Sequence, residues 1–219
     1  MTRPDTRTRI LDAAERLFAA EGIAATSLRR VIRAAGVNVA AIHYHFRSRE
    51  NLLRAVLARR LAPLNAERLR RLDAVETDAG RGPLPLERVI EALVVPLFRL
   101  MREAGPGGAA FIRLMGRTLT ESSGFLDRLV IEQFGDIIRR FTAAFRRALP
   151  ALPPRAFYFR IHFLVGAMVY ALLETRNLRI LSGGACDPLD PDQVVAHLVP
   201  FLAAGLRAPI RARRRGGRR

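Results

Sequence analysis

The chain has 219 residues, half of them hydrophobic, which is enough to bury a sizeable core. Its only cysteine, Cys186, excludes a disulfide framework and a cysteine-based zinc cluster within one chain. The net charge of +17 is concentrated at the two ends, since residues 1–60 carry 12 Arg and 5 acidic residues and residues 207–219 carry 7 Arg and no acidic residue. Such clustering favours a polyanionic partner; a codon bias accounts for Arg in place of Lys but not for the clustering.

Hydropathy along the chain predicts a protein outside the membrane. The most apolar run, residues 163–173, is shorter than the roughly 18 residues that a spanning helix needs. The N-terminus is polar and charged, unlike a secretory leader. We therefore expect a cytoplasmic protein that has no membrane partner.

Apolar residues recur at helical spacing and strand-like alternation is absent, so the predicted fold class is all-α. Gly22 and Gly36 are predicted to end the first two helices, and Ser27, Asn38 and Ser48 are predicted to cap the next three. The helices predicted in this part are 6–21, 27–35, 38–46 and one that begins at residue 49.

Two breaks are predicted in the second part: a loop over residues 73–85 and a Gly/Pro turn over residues 105–108. Pro96 is expected to kink its helix. The remaining predicted helices are 85–102, 109–121, 125–148, 154–181 and 191–206. The predicted domains are a three-helix domain (1–53), a larger helical domain (54–207) and a disordered basic tail (208–219).

Two short helices joined by a glycine turn behind a supporting helix predict a helix-turn-helix, in which a recognition helix enters the major groove. That pattern alone is weak, because any small helical bundle shows it. The residues themselves resemble the DNA-binding region of the TetR family of bacterial repressors. The resemblance is carried by Ile10-Leu11-Asp12-Ala13-Ala14, Leu17-Phe18, Gly22, Thr26-Ser27, Ala35-Gly36-Val37, Tyr44-His45-Phe46 and Ser48-Arg49-Glu50-Asn51-Leu52-Leu53.

Three positions depart from the family pattern. Ile32 replaces a small residue, His43 replaces a tyrosine and Arg49 replaces a lysine. The last change keeps the positive charge.

The resemblance implies contacts with double-stranded DNA. Arg29 is expected to contact a base edge, that of guanine. Arg30 is expected either to make a second base contact or to be part of a solvated face. Tyr44 is expected either to face DNA or to pack against the first or fourth helix. The predicted phosphate contacts are Ser27, His43, His45 and Arg49; the exposed start of the recognition helix, Val39, Ala40 and Ala41, can touch thymine methyls only. We expect no metal at His43 and His45, because neighbours at i and i+2 diverge on a helix.

Phe and Met concentrate in the middle helices, which fits either a plain core or an apolar effector site. Arg113 is expected either to meet an effector carboxylate or to pair with Glu121 or Glu132. The predicted effector contacts are Phe98, Met101, Phe111, Arg113, Met115, Phe141, Phe163 and Met168, with Phe134 and Phe145 as further candidates.

The chain also resembles a branch of the family that controls fatty-acid metabolism. The resemblance implies a long-chain fatty acid or its thioester as effector. It is carried by Gly36-Val37-Asn38 with Tyr44-His45-Phe46, Pro63-Leu64-Asn65, Phe111-Ile112-Arg113-Leu114, Leu152-Pro153-Pro154, Arg160-Ile161-His162-Phe163 and Pro200-Phe201-Leu202-Ala203-Ala204-Gly205.

The last two predicted helices, 154–181 and 191–206, carry more apolar residues than one buried stripe needs. They predict an isologous homodimer interface, unless the monomer buries them entirely. The basic tail either adds phosphate contacts or is simply solvated.

We therefore expect a transcriptional repressor rather than an enzyme, with an operator, a second copy and a small apolar effector as partners and with no cofactor. No Gly-rich phosphate loop, nucleophile elbow or metal-ligand spacing appears. The alternatives are a regulator with a different ligand or none, and an architectural DNA-binding protein.

Overall fold

A computed structural model describes residues 5–103, 105–120, 124–173, 175–187 and 190–210. This part of the chain contains helices and no strand, which confirms the all-α prediction. The helices are α1 (Thr6–Glu21), α2 (Leu28–Ala35), α3 (Val39–His45), α4 (Arg49–Ala79), α5 (Leu86–Glu103), α6 (Gly105–Thr120), α7 (Gly124–Ala148), α8 (Pro154–Leu173), α9 (Thr175–Leu181) and α10 (Pro191–Arg207).

Side-chain caps begin the first four helices. The Asn38 side chain accepts a hydrogen bond from the backbone amide of Ala41 at 2.8 Å, and Ser48 accepts one from the amide of Asn51 at 3.1 Å. Such caps satisfy amide groups that have no partner within the helix. The predicted start of each helix from α2 to α4 therefore follows from local chemistry.

Helices α1 to α3 form a small unit, called the head below, which is held together by Arg9. One guanidinium nitrogen of Arg9 donates to the carbonyl oxygens of Ala35 at 2.7 Å and Gly36 at 2.6 Å. These carbonyls belong to the turn between α2 and α3, where Gly36 has a left-handed backbone (φ 60°). The turn is thereby tied to α1, which fixes the angle at which α3 leaves it.

The predicted loop over residues 73–85 is wrong in its first half, because α4 continues to Ala79. Leu72 and Val75 are buried, so the helix packs against the core on this side. On its other side Asp73 and Glu76 bind Arg140 of α7, at 2.6 and 2.8 Å. Helix α7 thus supplies an ion-pair partner for polar residues whose sequence pattern predicted a loop.

The predicted break at residues 105–108 is also wrong, since α6 begins at Gly105. Proline is tolerated in the first turn of a helix, where its missing N–H has no intrahelical acceptor. Further along, the predicted helix over residues 154–181 corresponds to α8 and α9. Residue 174 between them, and residues 211–219 of the predicted tail, lie outside the described residues.

The remaining helices form a larger body around α5, which packs against α4, α6, α7 and α10. Helix α4 belongs to both parts, because it packs against α1 of the head and against α5 and α7 of the body. The predicted domain boundary between residues 53 and 54 falls inside this continuous helix.

A buried carboxylate joins the head to the body. Glu15 of α1 is 2% exposed and binds two guanidinium groups of α4, those of Arg59 and Arg60. Arg59 also binds Asp12 at 2.6 Å. A buried carboxylate with two cationic partners is well compensated, whereas removal of one partner leaves an unbalanced charge.

Gly36→Ala is expected to destabilise the protein by about 1–2 kcal/mol. A left-handed backbone is unfavourable for an L-residue, and the new Cβ would lie 3.1 Å from the Arg9 guanidinium. Gly135→Ala is the matched control. Gly135 is inside α7 with open space around its Cβ position, so the same change should stabilise by about 0.5–1 kcal/mol. Urea midpoints of the two variants measure both effects; shifts of equal sign would refute the assignment.

Candidate nucleic-acid interface and effector cavity

Helix α3 has one face in the core of the head and one face in solvent. Ile42 is buried, and so is Phe46 directly after the helix. On the outer face Val39 is 57% exposed and Tyr44 is 83% exposed. A helix held from behind in this way can enter a groove with its outer side chains first.

The structure exposes eight of the ten predicted DNA contacts, and the other two are half-buried. The exposed residues are Ser27, Arg29, Arg30, Val39, Ala40, His43, Tyr44 and Arg49, the last at the start of α4; the half-buried residues are Ala41 and His45. Tyr44 does not pack against α1 or α4, since most of its side chain is in solvent; among the described aromatic residues its ring meets that of His45, edge-on at 5.0 Å.

Arg29 and Arg30 differ in their partners. The Arg30 guanidinium binds the carboxylate of Glu21 at 2.5 Å, whereas Arg29 makes no hydrogen bond or ion pair with any residue in the described ranges. An exposed ion pair contributes at most about 1 kcal/mol, so Arg30 can be released, but Arg29 is free at the outset. The structure therefore favours Arg29 as the base-reading side chain of α2.

Arg49 has a structural partner that the sequence did not reveal. Its guanidinium reaches back across the head and donates to the carbonyl oxygen of Ala24 at 2.9 Å and to that of Ile23 at 3.4 Å. Arg49 thereby ties the start of α4 to the connection between α1 and α2. Its remaining N–H groups are available for a phosphate, which would fix the head on the DNA backbone.

A polar cleft of about 480 Å³ lies between the head and α7. One ion pair crosses it, from Arg54 of α4 to Glu132 of α7, at 2.9 Å. Arg47 also lines the cleft and holds a left-handed backbone (φ 62°), an uncommon conformation for a residue other than glycine. The cleft separates the head from α7, while α1 of the head packs against α6 elsewhere in the body.

An apolar cavity lies where α4, α6 and α7 meet. It holds only about 10 Å³ of free space, which is roughly enough for one water molecule. An effector can therefore enter only if these helices separate. Its lining consists of Leu57, Leu61, Met115, Thr118, Leu129, Val130, Gln133 and Phe134.

Met115 is the one member of the predicted effector set that lines this cavity within the described residues. Phe98, Phe111, Phe141 and Met168 are buried elsewhere in the core, and Arg113 and Phe163 are exposed. The side chain of Met101, and Glu121 as a predicted partner of Arg113, lie outside the described residues. Glu132, the other predicted partner of Arg113, pairs with Arg54 instead.

Of these lining residues, Phe134 was predicted from the sequence and the two leucines of α4, Leu57 and Leu61, were not. A sequence signal existed, since Leu57, Leu61 and Leu64 recur at helical spacing.

An apolar face of α8 and α10 is left in solvent. Phe163 is 64% exposed and Phe201 is 68% exposed, and Phe159 and Tyr170 are exposed as well. The expectation that this apolar run is too short to span a membrane is wrong on length, because α8 has 20 residues and is long and apolar enough to cross one. In its most apolar stretch, 22% of the residues are buried. Its other face, with Phe157, Leu164 and Met168, packs into the body, so α8 belongs to a folded core.

Within the ranges that the structure describes, no group of three or more His, Cys, Asp or Glu side chains could hold a metal ion. His43 and His45 accordingly have no third ligand among these residues.

Two family models match the chain. The model described as "Bacterial regulatory proteins, tetR family" matches residues 10–56, and the one described as "Tetracyclin repressor-like, C-terminal domain" matches residues 91–205. The first range holds the head and the start of α4. The second, which is more than half of the chain, holds most of the body.

Two curated regulators from Pseudomonas putida are similar to the chain. The uncharacterised HTH-type transcriptional regulator TtgW is 30% identical over 58% of this chain and 85% of TtgW. The HTH-type transcriptional regulator SrpR is 28% identical over 66% of this chain and 62% of SrpR, so that match spans less than two thirds of the relative.

A solved structure, the transcriptional regulator FadR from Bacillus subtilis in complex with stearoyl-CoA, has a TM-score of 0.63. It is 13% identical, and the match covers 90% of this chain and 98% of that one. At this identity the likeness concerns the fold.

Replacing Arg29 and Arg49 by alanine should have different effects on DNA binding. Loss of a bidentate base contact costs about 1–3 kcal/mol at one base pair, so Arg29→Ala should change the preference among DNA sequences. Arg49→Ala removes the predicted phosphate contact and the hydrogen bonds to the head, so it should weaken binding to all sequences alike. Fluorescence anisotropy with a panel of single-base variants of a bound sequence measures both. Equal, sequence-independent losses from the two variants would contradict this division.

Proposed function

Because the chain belongs to the TetR family of bacterial regulatory proteins, we propose that it binds a palindromic operator as a homodimer, represses transcription there, and is released by a small apolar effector. Members of this family are DNA-binding transcriptional regulators and not enzymes, so this chain is a DNA-binding transcriptional regulator. A regulator of this kind works in the cytoplasm.

The outer face of α3 is the single observation that carries the proposal. It presents an aromatic side chain and an imidazole, Tyr44 and His43, to solvent, and the unpaired Arg29 lies on the neighbouring helix. Arg9 and Arg49 hold the surrounding turns by hydrogen bonds to backbone carbonyls. Preorganised positive and aromatic groups of this kind suit a groove lined by phosphates.

A second copy of the chain is the occupant that we propose for the apolar face of α8 and α10. Exposed aromatic residues recur along α8 and continue on α10 through Phe201. A twofold axis through such a face makes it self-complementary and closes the assembly at two copies. Two heads held at a fixed distance then read two half-sites of a palindrome.

The effector is proposed to act through the cavity between α4, α6 and α7. Leu57 and Leu61 line it from α4, the helix whose first turns hold the head through Arg49 and Arg59. A molecule that enters must separate these helices, which shifts α4 and with it the distance between the two heads. It acts only to the extent that it binds the open state better than the DNA-bound state.

A fatty acid or an acyl thioester is the proposed effector class. The lining supports an apolar chain, since six of its eight described residues are apolar and the other two are Thr118 and Gln133. The solved FadR structure of similar fold contains stearoyl-CoA, which adds support at the level of ligand class.

Selection of bound DNA from random oligonucleotides tests the operator and the dimer together. The wild-type protein should enrich a palindrome. Phe163→Glu places a charge in the proposed interface, so it should yield monomers on size-exclusion chromatography and lose the preference for paired half-sites. Ile131→Glu is the control, since Ile131 is equally exposed but lies on α7. A monomeric wild type, or dimers of Phe163→Glu that bind normally, would refute this interface.

Titration of acyl compounds against the operator complex tests the effector. Fatty acids and acyl thioesters of increasing chain length should release the DNA at decreasing concentration. Burial of each added methylene contributes about 0.8 kcal/mol to the free energy of binding. Anisotropy of a labelled operator reports the release. A protein that stays on DNA with every acyl compound would exclude this ligand class and leave operator binding intact.

A further inference from the structure

The buried face of α4 contains one charged residue. Leucine and valine occupy its other positions along this part of the helix, namely Leu57, Leu61, Leu64, Leu72 and Val75. Arg68 sits among them and is 3% exposed. A guanidinium is rarely buried without a counter-ion, because transfer of a charge out of water is unfavourable unless it is paired.

The partners of Arg68 are neutral. Its Nε donates to the carbonyl oxygen of Leu93 on α5 at 2.9 Å, and its Nη1 donates to the side-chain oxygen of Asn65 at 3.3 Å. Among the described residues no carboxylate lies within 4.0 Å of it. Burial lowers the pKa of Arg68 to about 10, so the group is still positively charged at neutral pH.

The outer edge of the guanidinium has N–H groups that are not used by the described residues. Nη2 makes no hydrogen bond with the described residues, and Nη1 uses one of its two N–H groups. The two terminal nitrogens of an arginine bind both oxygens of a carboxylate in parallel, which is the strongest pairing available to this side chain.

Arg68 lies on the same side of α4 as the apolar cavity. Seven residues, or two turns, separate it from Leu61 of the cavity wall, which is about 10 Å along the helix axis. Asn65 lies between them and donates to the backbone carbonyl of Gln133 at 2.8 Å. Gln133 itself lines the cavity, so Asn65 connects Arg68 with the cavity wall.

We propose that Arg68 is the counter-ion for an anionic effector whose apolar chain occupies the cavity between α4, α6 and α7. The ligand class is an amphipathic carboxylate. This inference rests on the proposed effector site and names its polar end. It assigns the carboxylate to Arg68 of α4 in place of Arg113, which is exposed on α6.

Arg68 also has a structural role. The test must distinguish this role from the proposed role as a counter-ion. The hydrogen bond of Arg68 to the Leu93 carbonyl ties α4 to α5. A neutral donor could fill that role equally well. Arg68→Gln keeps a donor and removes the charge, whereas Arg68→Lys keeps the charge.

The experiment compares decanoate with its neutral methyl ester. Calorimetry gives the affinity of each probe for the full-length protein, and the melting temperature without ligand reports structural damage. Wild type should bind decanoate about ten- to a hundred-fold more tightly than the ester, as expected for a charge-assisted hydrogen bond. Arg68→Gln should bind both alike, Arg68→Lys should keep a preference, and Arg113→Gln should behave as wild type.

A preference for decanoate that survives in Arg68→Gln, or is lost in Arg113→Gln, would overturn the proposal. So would a wild type that binds neither probe or both equally. None of these results bears on operator binding, which is measured separately by anisotropy with the selected DNA.

If Arg68→Gln does not fold, the wild-type protein alone tests the preference for a negative charge, because decyltrimethylammonium has the same apolar chain as decanoate with opposite charge. It should bind far more weakly than decanoate, and equal binding would overturn the proposal.

Discussion

The continuity of α4 is the constraint on which the rest of the structure depends. One helix of 31 residues begins at the head, lines the apolar cavity and ends against α7. At its start Arg49 binds carbonyls of the head, and one turn past the family's DNA-binding segment Arg59 and Arg60 bind the buried Glu15. Because these contacts leave little freedom between head and α4, any displacement of the helix at the cavity moves the head.

The same rigidity shapes how this regulator reads DNA. The recognition helix begins with Val39, Ala40 and Ala41, which have no side-chain donor or acceptor. Arg30 pairs with Glu21 and Arg49 with backbone carbonyls, whereas Arg29 has no hydrogen-bond or ion-pair partner among the described residues. We propose that specificity depends on Arg29, on methyl contacts and on the spacing of two heads, which would make the protein sensitive to small changes in that spacing.

Local chemistry made helices α2 to α4 predictable, since Ser27, Asn38 and Ser48 each accept a hydrogen bond from the helix that follows. Residues 73–79 were mispredicted because their partner, Arg140, is more than sixty residues away in the sequence. The cavity was only partly predictable: Phe and Met content gave Met115, but tertiary packing decides which aromatic residues face a void. Arg68 was missed, although a charge at a heptad position of an apolar stripe is visible in the sequence.

The distance between the two heads, with and without an acyl effector, tests the transmission through α4 most directly. Ala34 is exposed on α2 and Cys186 is an exposed native cysteine, so Ala34→Cys with Cys186→Ser gives one spin-label site per subunit. Double electron–electron resonance should show one narrow distance in the operator complex and a displaced distance when the effector is bound. An unchanged distance under conditions in which the effector releases the DNA would contradict the account.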